Sequence, residues 1–203
     1  MKLKKSEKKK KIILEAAIRV FARKGFDNTR ISDIAREAKV AYGLVYHYYK
    51  GKDKILHVIF TETWNIFLKV LEEIFSDDTI TFKEKIYNLV SFLINSYVNF
   101  PELIEVIIIE VIHSNRIKRK EYLKGFMKSF LIVEKALKEH SERNEIKKDI
   151  NLRLTTIMIF GSLEMIFSGF ALKGLAIEDF ENEDELKEKI VDLVMKGIAV
   201  ENG

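Results

Sequence analysis

Between Tyr42 and Lys52 the chain crowds phenols, an imidazole and ammonium groups into one short run: Tyr42, Tyr46, His47, Lys50 and Lys52, with Gly43 among them. These are hydrogen-bonding groups and cations, suited to base edges and phosphate oxygens rather than to bond breaking. One other constellation could carry chemistry. Glu110-Val111-Ile112-His113 sets a carboxylate and an imidazole three residues apart, the spacing of a ligand pair in di-iron helical bundles. Such a site also needs a second pair and two more carboxylates, and His47, His57 and His140 have no Glu three residues before them. The chain has no Cys, no His-Glu-x-x-His, no phosphate-binding loop and no Gly-x-Ser-x-Gly. No catalytic residue, no metal site and no required cofactor is therefore expected.

The elements that must position the Tyr42–Lys52 groups can be read from periodicity. Thr29 is placed to cap a short helix in which Ile31, Ile34, Ala35 and Ala38 share one face, with Arg30, Asp33, Arg36 and Glu37 on the other. A turn through Lys39, Val40 and Ala41 follows, with Val40 as its apolar plug. A second helix then runs from about Tyr42 to Tyr48. Leu44, Val45 and Tyr48 are spaced to face inward, which leaves Tyr42, Gly43, Tyr46 and His47 outside. Glycine inside a helix costs about 0.5–1 kcal/mol relative to Ala, so Gly43 suggests a close approach to that backbone by a phosphate or base edge.

Charge placement points the same way. Residues 1–52 hold 15 Lys or Arg against five acids, a net +10, and seven of those lysines lie in the first eleven residues. The remaining 151 residues hold 20 basic and 26 acidic groups, a net −6. A basic head on an acidic body is an electrostatic footprint for a polyanion, with affinity that falls steeply with salt. A solvated lysine tail that binds nothing specific is the alternative for residues 2–11 alone.

The run IILEAAIRVFARKGFDNTRISDIAREAKVAYGLVYHYYKGKDKIL resembles, without a gap over about residues 10–56, the N-terminal DNA-binding domain of the TetR family of transcriptional regulators. The resemblance rests on Phe21, Ala22, Gly25 and Phe26 at the end of the first helix, the Thr-opened second helix, and the aromatic end of the recognition helix. It implies that Tyr42 and Gly43 lie nearest the bases and that Tyr46 and His47 lie toward phosphates. It also implies that Lys52 and Thr29 meet phosphates at helix starts, with Lys50 as a helper. Two positions depart from the pattern. Lys39 stands where the turn is usually glycine, which predicts a left-handed non-glycine residue at a cost of about 1 kcal/mol. Ala41 stands where a Ser or Thr usually opens the recognition helix, so one phosphate contact is missing and the basic tail takes a larger share of binding.

With 203 residues, one Pro and nine Gly, the chain predicts a helix-turn-helix domain at 1–52, its basic tail at 1–11, and a ligand-binding and dimerisation domain at 53–203. Beyond Lys52 the pattern is helical throughout, with helices expected at about 52–75, 81–99, 102–113, 116–142, 150–173 and 182–200. With three N-terminal helices this is an all-α fold of about nine helices, the number usual in the resembled family.

That family forms homodimers through a four-helix bundle of the last two helices. Here the apolar run Leu154–Leu172 with Leu186, Ile190, Leu193, Val194 and Ile198 would supply the surface, and a dimer implies a palindromic double-stranded operator. The same run, LTTIMIFGSLEMIFSGFAL, has Glu164 at mid-span, which argues against a membrane span and for a helix buried on most sides. Gly161 and Gly169 on it read either as points of close helix approach or as ordinary gap-filling glycines. The lysine-rich start lacks a secretory apolar core, and absent cysteine suits a reducing compartment, so a cytoplasmic location is expected.

A small hydrophobic ligand is expected in the body. Its candidate pocket residues are Trp64, Tyr97, Tyr122, Phe126, Phe160 and Phe167, with polar contacts from Glu110, His113, Arg119 and Glu164. His113-Ser114-Asn115 with Arg119, then NEIKKDINLRLTTIMIFGSLE at 144–164, is similar to the ligand domain of the fatty-acid-degradation repressors of the TetR family. Those release DNA on binding long-chain acyl-CoA. This implies an acyl chain among the central aromatic groups and CoA phosphates near Arg116, Lys118, Arg119 and Lys120. A regulator of an efflux or multidrug gene answering to a drug-like ligand is the main alternative, and a nonspecific architectural DNA-binding protein is the alternative of another class.

Overall fold

The computed structural model describes residues 2–200, with side chains from Ser6 onward. Among the described residues there are nine α-helices and no strand, in agreement with the expected all-α fold. The chain divides into two compact units.

The first unit runs to Trp64 and takes in Glu102–Ile117 as well. It is thus larger than the 1–52 expected from the motif, because a later stretch of chain returns to pack with the head. It contains α1 (Lys2–Lys24), α2 (Ile31–Glu37), α3 (Tyr42–Tyr49), the first half of α4 (Lys52–Ser76) and most of α6 (Pro101–Ile107). The seven N-terminal lysines lie at positions 2–11 of the continuous helix α1, not in a separate tail.

The core of this unit follows from helical period. Ile13, Ala16, Ala17, Val20 and Phe21 form one buried stripe on α1, and Phe26, Ile34, Ala35, Ala38, Val45, Tyr49, Ile55, Leu56, Ile59 and Phe60 complete the core. Glu37 on α2 pairs with Arg19 at 2.9 Å and Arg23 at 3.2 Å, both on α1, and Asp33 pairs with Lys24 at 3.1 Å. The acids of α2 therefore bolt it to α1.

The second unit holds the rest of α4, α5 (Phe82–Asn99), α7 (Lys120–Glu142), α8 (Leu152–Ala171) and α9 (Glu183–Ile198), with α5 packed on α9 and α7 on α8. Helix starts are capped as their sequences ask. Thr81 and Glu84 form a reciprocal capping box on α5, and Asn151 and Asn182 each accept a backbone N–H at the starts of α8 and α9. Lys85 is fully buried and donates to the carbonyls of Ile74 and Phe75 in the last turn of α4 and of Asp77 just past it. Burial lowers its pKa.

Two expectations need correcting. The helix expected over 102–113 turns into a π-helix at Ile108–Ile112, and a 3₁₀ turn at Asn115–Lys118 precedes α7. Helix α8, expected to be buried on most sides, is buried on one: Ile159, Leu163, Phe167 and Phe170 pack inward, while Leu154, Ile157, Met158, Met165 and Leu172 are exposed. By length and mean hydropathy (1.5) it could cross a membrane, but its exposed and buried residues alternate at helical period, as on a packing helix. Gly169 on α8 has no room for a side chain because Leu175 from the following turn fills that space, whereas Gly161 faces open space.

Candidate nucleic-acid interface and effector site

The interface is built on α3. Val45 and Tyr49 are its buried residues, and Leu44 and Tyr48 are half-buried. The register differs from expectation by one residue at the end, with Tyr49 rather than Tyr48 going inward. Its hydroxyl donates to the Lys10 carbonyl at 3.2 Å, and Ser6 donates to the Tyr48 hydroxyl at 3.3 Å, so both tyrosines anchor α3 to the basic end of α1. Burial pushes the Tyr49 phenol up to about 12.

The opposite face carries the expected groups. Tyr42 is 56% exposed and Tyr46 50%, and Gly43, His47 and Lys50 are exposed beside them. The Lys50 ammonium lies 6.0 Å from the centre of the Tyr46 ring. Nothing stands within 4 Å of where a Cβ on Gly43 would lie. Packing within the chain therefore does not require glycine at this exposed helical position.

The turn before α3 is as strained as its sequence suggests. Lys39 has φ of 54°, and Lys39 N–H and Val40 N–H bond the carbonyls of Arg36 and Ala35, the pattern that ends a helix through a left-handed residue. Ala41 caps α3 without any side-chain hydrogen bond.

Two residues expected at phosphates also make hydrogen bonds within the chain. Thr29 is 2% exposed and donates its hydroxyl to the Gly25 carbonyl at 2.7 Å. It does not cap α2: the cap residue is Arg30, whose N–H is taken by Asp33 at 3.0 Å. This contact, with Lys24 next in weight, holds the Asp33 carboxyl below the usual range. The Lys52 ammonium donates to the carbonyls of Phe26 at 2.7 Å and Asp27 at 2.9 Å and lies 4.5 Å from the Phe26 ring centre. Both side chains thus help to close the α1–α2 turn.

The ten candidate pocket residues are distributed over both compact units. Trp64 stacks on Phe60 at 5.3 Å in the first unit, which also contains Glu110 and the exposed His113. Glu110 accepts the Phe26 N–H at 2.8 Å and lies 3.6 Å from Arg116, so its carboxylate serves the head. In the second unit Tyr97 stacks on Phe170 at 4.9 Å and meets Phe167 edge-on at 6.4 Å. Phe126, Phe130 and Phe160 form a chain of rings at 5.0 and 4.9 Å. Glu164 accepts from Ser168 at 2.6 Å, and the Arg119 guanidinium lies 5.9 Å from the ring centre of the buried Tyr122. A cavity of about 270 Å³ opens beside Tyr97, Phe170, Lys173, Leu175 and Ile177. No group of three or more metal-ligating side chains occurs among the described residues.

Residues 13–59 match the family model described as bacterial regulatory proteins, tetR family, and residues 60–197 match that of the YsiA-like protein, C-terminal region. The chain belongs to the TetR family. This TetR-family protein is 34% identical to the fatty acid metabolism regulator protein of Bacillus subtilis (strain 168) over 155 residues, 75% of this chain and 78% of the other. Its structure is similar to that of the transcriptional regulator FadR from Bacillus subtilis in complex with stearoyl-CoA, with a TM-score of 0.78, 27% identity, and coverage of 92% of this chain and 97% of that one. FadR from Bacillus halodurans shares the fold, with a TM-score of 0.80 at 24% identity over 93% and 95% of the two chains. A TetR-family protein of this kind is a ligand-responsive, DNA-binding transcriptional regulator, as the recognition helix and basic head indicate.

Proposed function

We propose that this regulator is a dimeric repressor that binds a palindromic operator and leaves it when a long-chain acyl-CoA binds the helical body. The observation that carries the ligand class is the likeness over nearly the whole of both chains to a FadR held in a stearoyl-CoA complex. Aromatic groups of the second unit, Tyr97, Phe126, Phe160 and Phe167, are suited to an acyl chain. Lys118, Arg119 and Lys120 are suited to CoA phosphates, whereas Arg116 is already engaged by Asp27 and Glu110.

On the DNA side, Tyr42 and Gly43 read bases while Tyr46, His47 and Lys50 hold phosphates. Helix α1 brings Lys8 and Lys9 to flanking phosphates, because Tyr48 and Tyr49 tie its basic end to α3. The dimer forms through the exposed faces of α8 and α9, where Met158 is 66% and Leu193 73% exposed. Such a dimer carries two copies of α3, one for each half of a palindrome, and Gly161 leaves space for a close crossing.

The test is a titration of palmitoyl-CoA, free CoA and palmitate into the protein bound to its own gene's upstream DNA. Release by palmitoyl-CoA alone is expected. Unchanged operator affinity at saturating palmitoyl-CoA would remove the acyl-CoA assignment while leaving the regulator intact.

A further inference from the structure

The α1–α2 turn at Phe26 and Asp27 is held from three sides within the first unit. The Phe26 N–H goes to Glu110 Oε1 at 2.8 Å, and its carbonyl accepts from Lys52. Its ring, 3% exposed, has the Lys52 ammonium at 4.5 Å and the Arg116 guanidinium at 4.1 Å from the centre. Arg116 also pairs with Asp27 at 3.2 Å and donates to the Glu110 carbonyl at 3.3 Å. Eighty-four residues of sequence separate Phe26 from Glu110, so no local requirement of the turn creates this contact.

Glu110 stands in the middle of the π-helix Ile108–Ile112, which closes with His113 N–H on the Ile108 carbonyl at 2.9 Å. A π turn is wider than the α-helical turn by one residue, is rare, and is frequently found at functional sites. Return of this stretch to α-helical register would rotate Glu110 by about 100° about the axis and draw its carboxylate off Phe26. The π register thus holds the clasp closed, and an α-helical register would open it. Its segment begins at Glu102 and ends at Ile117, the points where the chain passes to and from the other compact unit.

We propose that Glu110 and Arg116 are positioning residues for the DNA-binding head: through the π turn they clasp Phe26 and Asp27, and the effector acts on operator binding by changing the register that holds this clasp. The inference rests on the ligand-responsive repressor reading. It goes further by assigning the coupling to named groups that touch neither DNA nor effector.

Full-length wild type, Glu110→Ala, Arg116→Met and Glu110→Gln would be compared. The readouts are operator affinity with and without palmitoyl-CoA, palmitoyl-CoA affinity of the DNA-free protein, thermal melting, and exchange of the Phe26 amide. Glu110→Ala and Arg116→Met are expected to bind palmitoyl-CoA within twofold of wild type, while the ligand's effect on operator affinity falls at least tenfold. Glu110→Gln keeps an oxygen for the Phe26 N–H and should retain most of the effect, which separates positioning from general loss of stability. An undiminished ligand effect in both Glu110→Ala and Arg116→Met would overturn the proposal.

If palmitoyl-CoA does not release the wild type, the acyl-CoA reading fails and the clasp is judged without ligand. Glu110→Ala should then speed Phe26 amide exchange and weaken binding to the full palindrome more than to a single half-site. Equal weakening of both duplexes, or unchanged exchange, would overturn it.

Discussion

Tyr49 at the end of the recognition helix donates its hydroxyl to the carbonyl of Lys10 on the first helix, 39 residues earlier, at 3.2 Å. This one bond links the orientation of α3 to the basic end of α1. Tyr49→Phe should lower the stability of the protein by about 0.5–1.5 kcal/mol, the net worth of one hydrogen bond, in chemical denaturation. Ultraviolet titration of the wild type should show one phenol ionising at about 12 that is missing from this variant.

Two backbone substitutions separate fold from contact. Lys39→Gly relieves a left-handed lysine and should stabilise by about 1 kcal/mol with operator affinity unchanged. Gly43→Ala should also stabilise, by about 0.5–1 kcal/mol, because the added methyl meets nothing in the chain. It should nonetheless weaken operator binding, measured by fluorescence anisotropy, because the duplex takes up that space. Full affinity in Gly43→Ala would remove Gly43 from the interface.

The lysines of the head should part company. Lys50→Ala and Lys8→Ala should each lower the slope of log affinity against log salt by about 0.9 without changing the melting temperature. Lys52→Ala should leave the slope intact and cost about 1–3 kcal/mol of stability, because its ammonium serves the carbonyls of Phe26 and Asp27. Tyr42→Ala should relax base preference, seen in competition between operator variants.

If the subunits pair as proposed, a charge on the exposed faces of α8 or α9 should dissociate the dimer. Met158→Glu and Leu193→Glu are expected to sediment as folded monomers and to lose operator affinity by about 100-fold or more, the penalty of binding one half-site at a time. Retained dimers in both variants would place the subunit interface elsewhere.

The acid limb of stability should depend on Glu145. Burial pushes its carboxyl up, but the Phe82 N–H at 3.0 Å, His140 beside it and Arg143 outweigh this, and it sits below its ordinary 4.5. A carboxylate depressed in the fold stabilises above its unfolded value, and that contribution is lost as pH falls through the folded value. Wild-type melting temperature should therefore decline as pH falls past about 4.5, and Glu145→Gln should decline less steeply. Parallel curves would show that other carboxylates dominate.

The α-helical class, most helix limits and the outward groups Tyr42, Gly43, Tyr46, His47 and Lys50 could be read from the chain because each depends on local spacing. A period of 3.6 residues, a cap such as Thr81 with Glu84, or a lysine where a left-handed glycine is usual leaves its mark within a few positions. What tertiary structure decided is the destination of polar groups with more than one use. Thr29 and Lys52 have the chemistry to hold phosphate, yet Gly25, Phe26 and Asp27 stand close enough to take their hydrogen bonds. Glu110 has the chemistry of a pocket carboxylate, yet the π turn carries it to an amide 84 residues away. Local pattern records which face a residue occupies; the partner on that face comes from distant chain and exists only once the fold has closed.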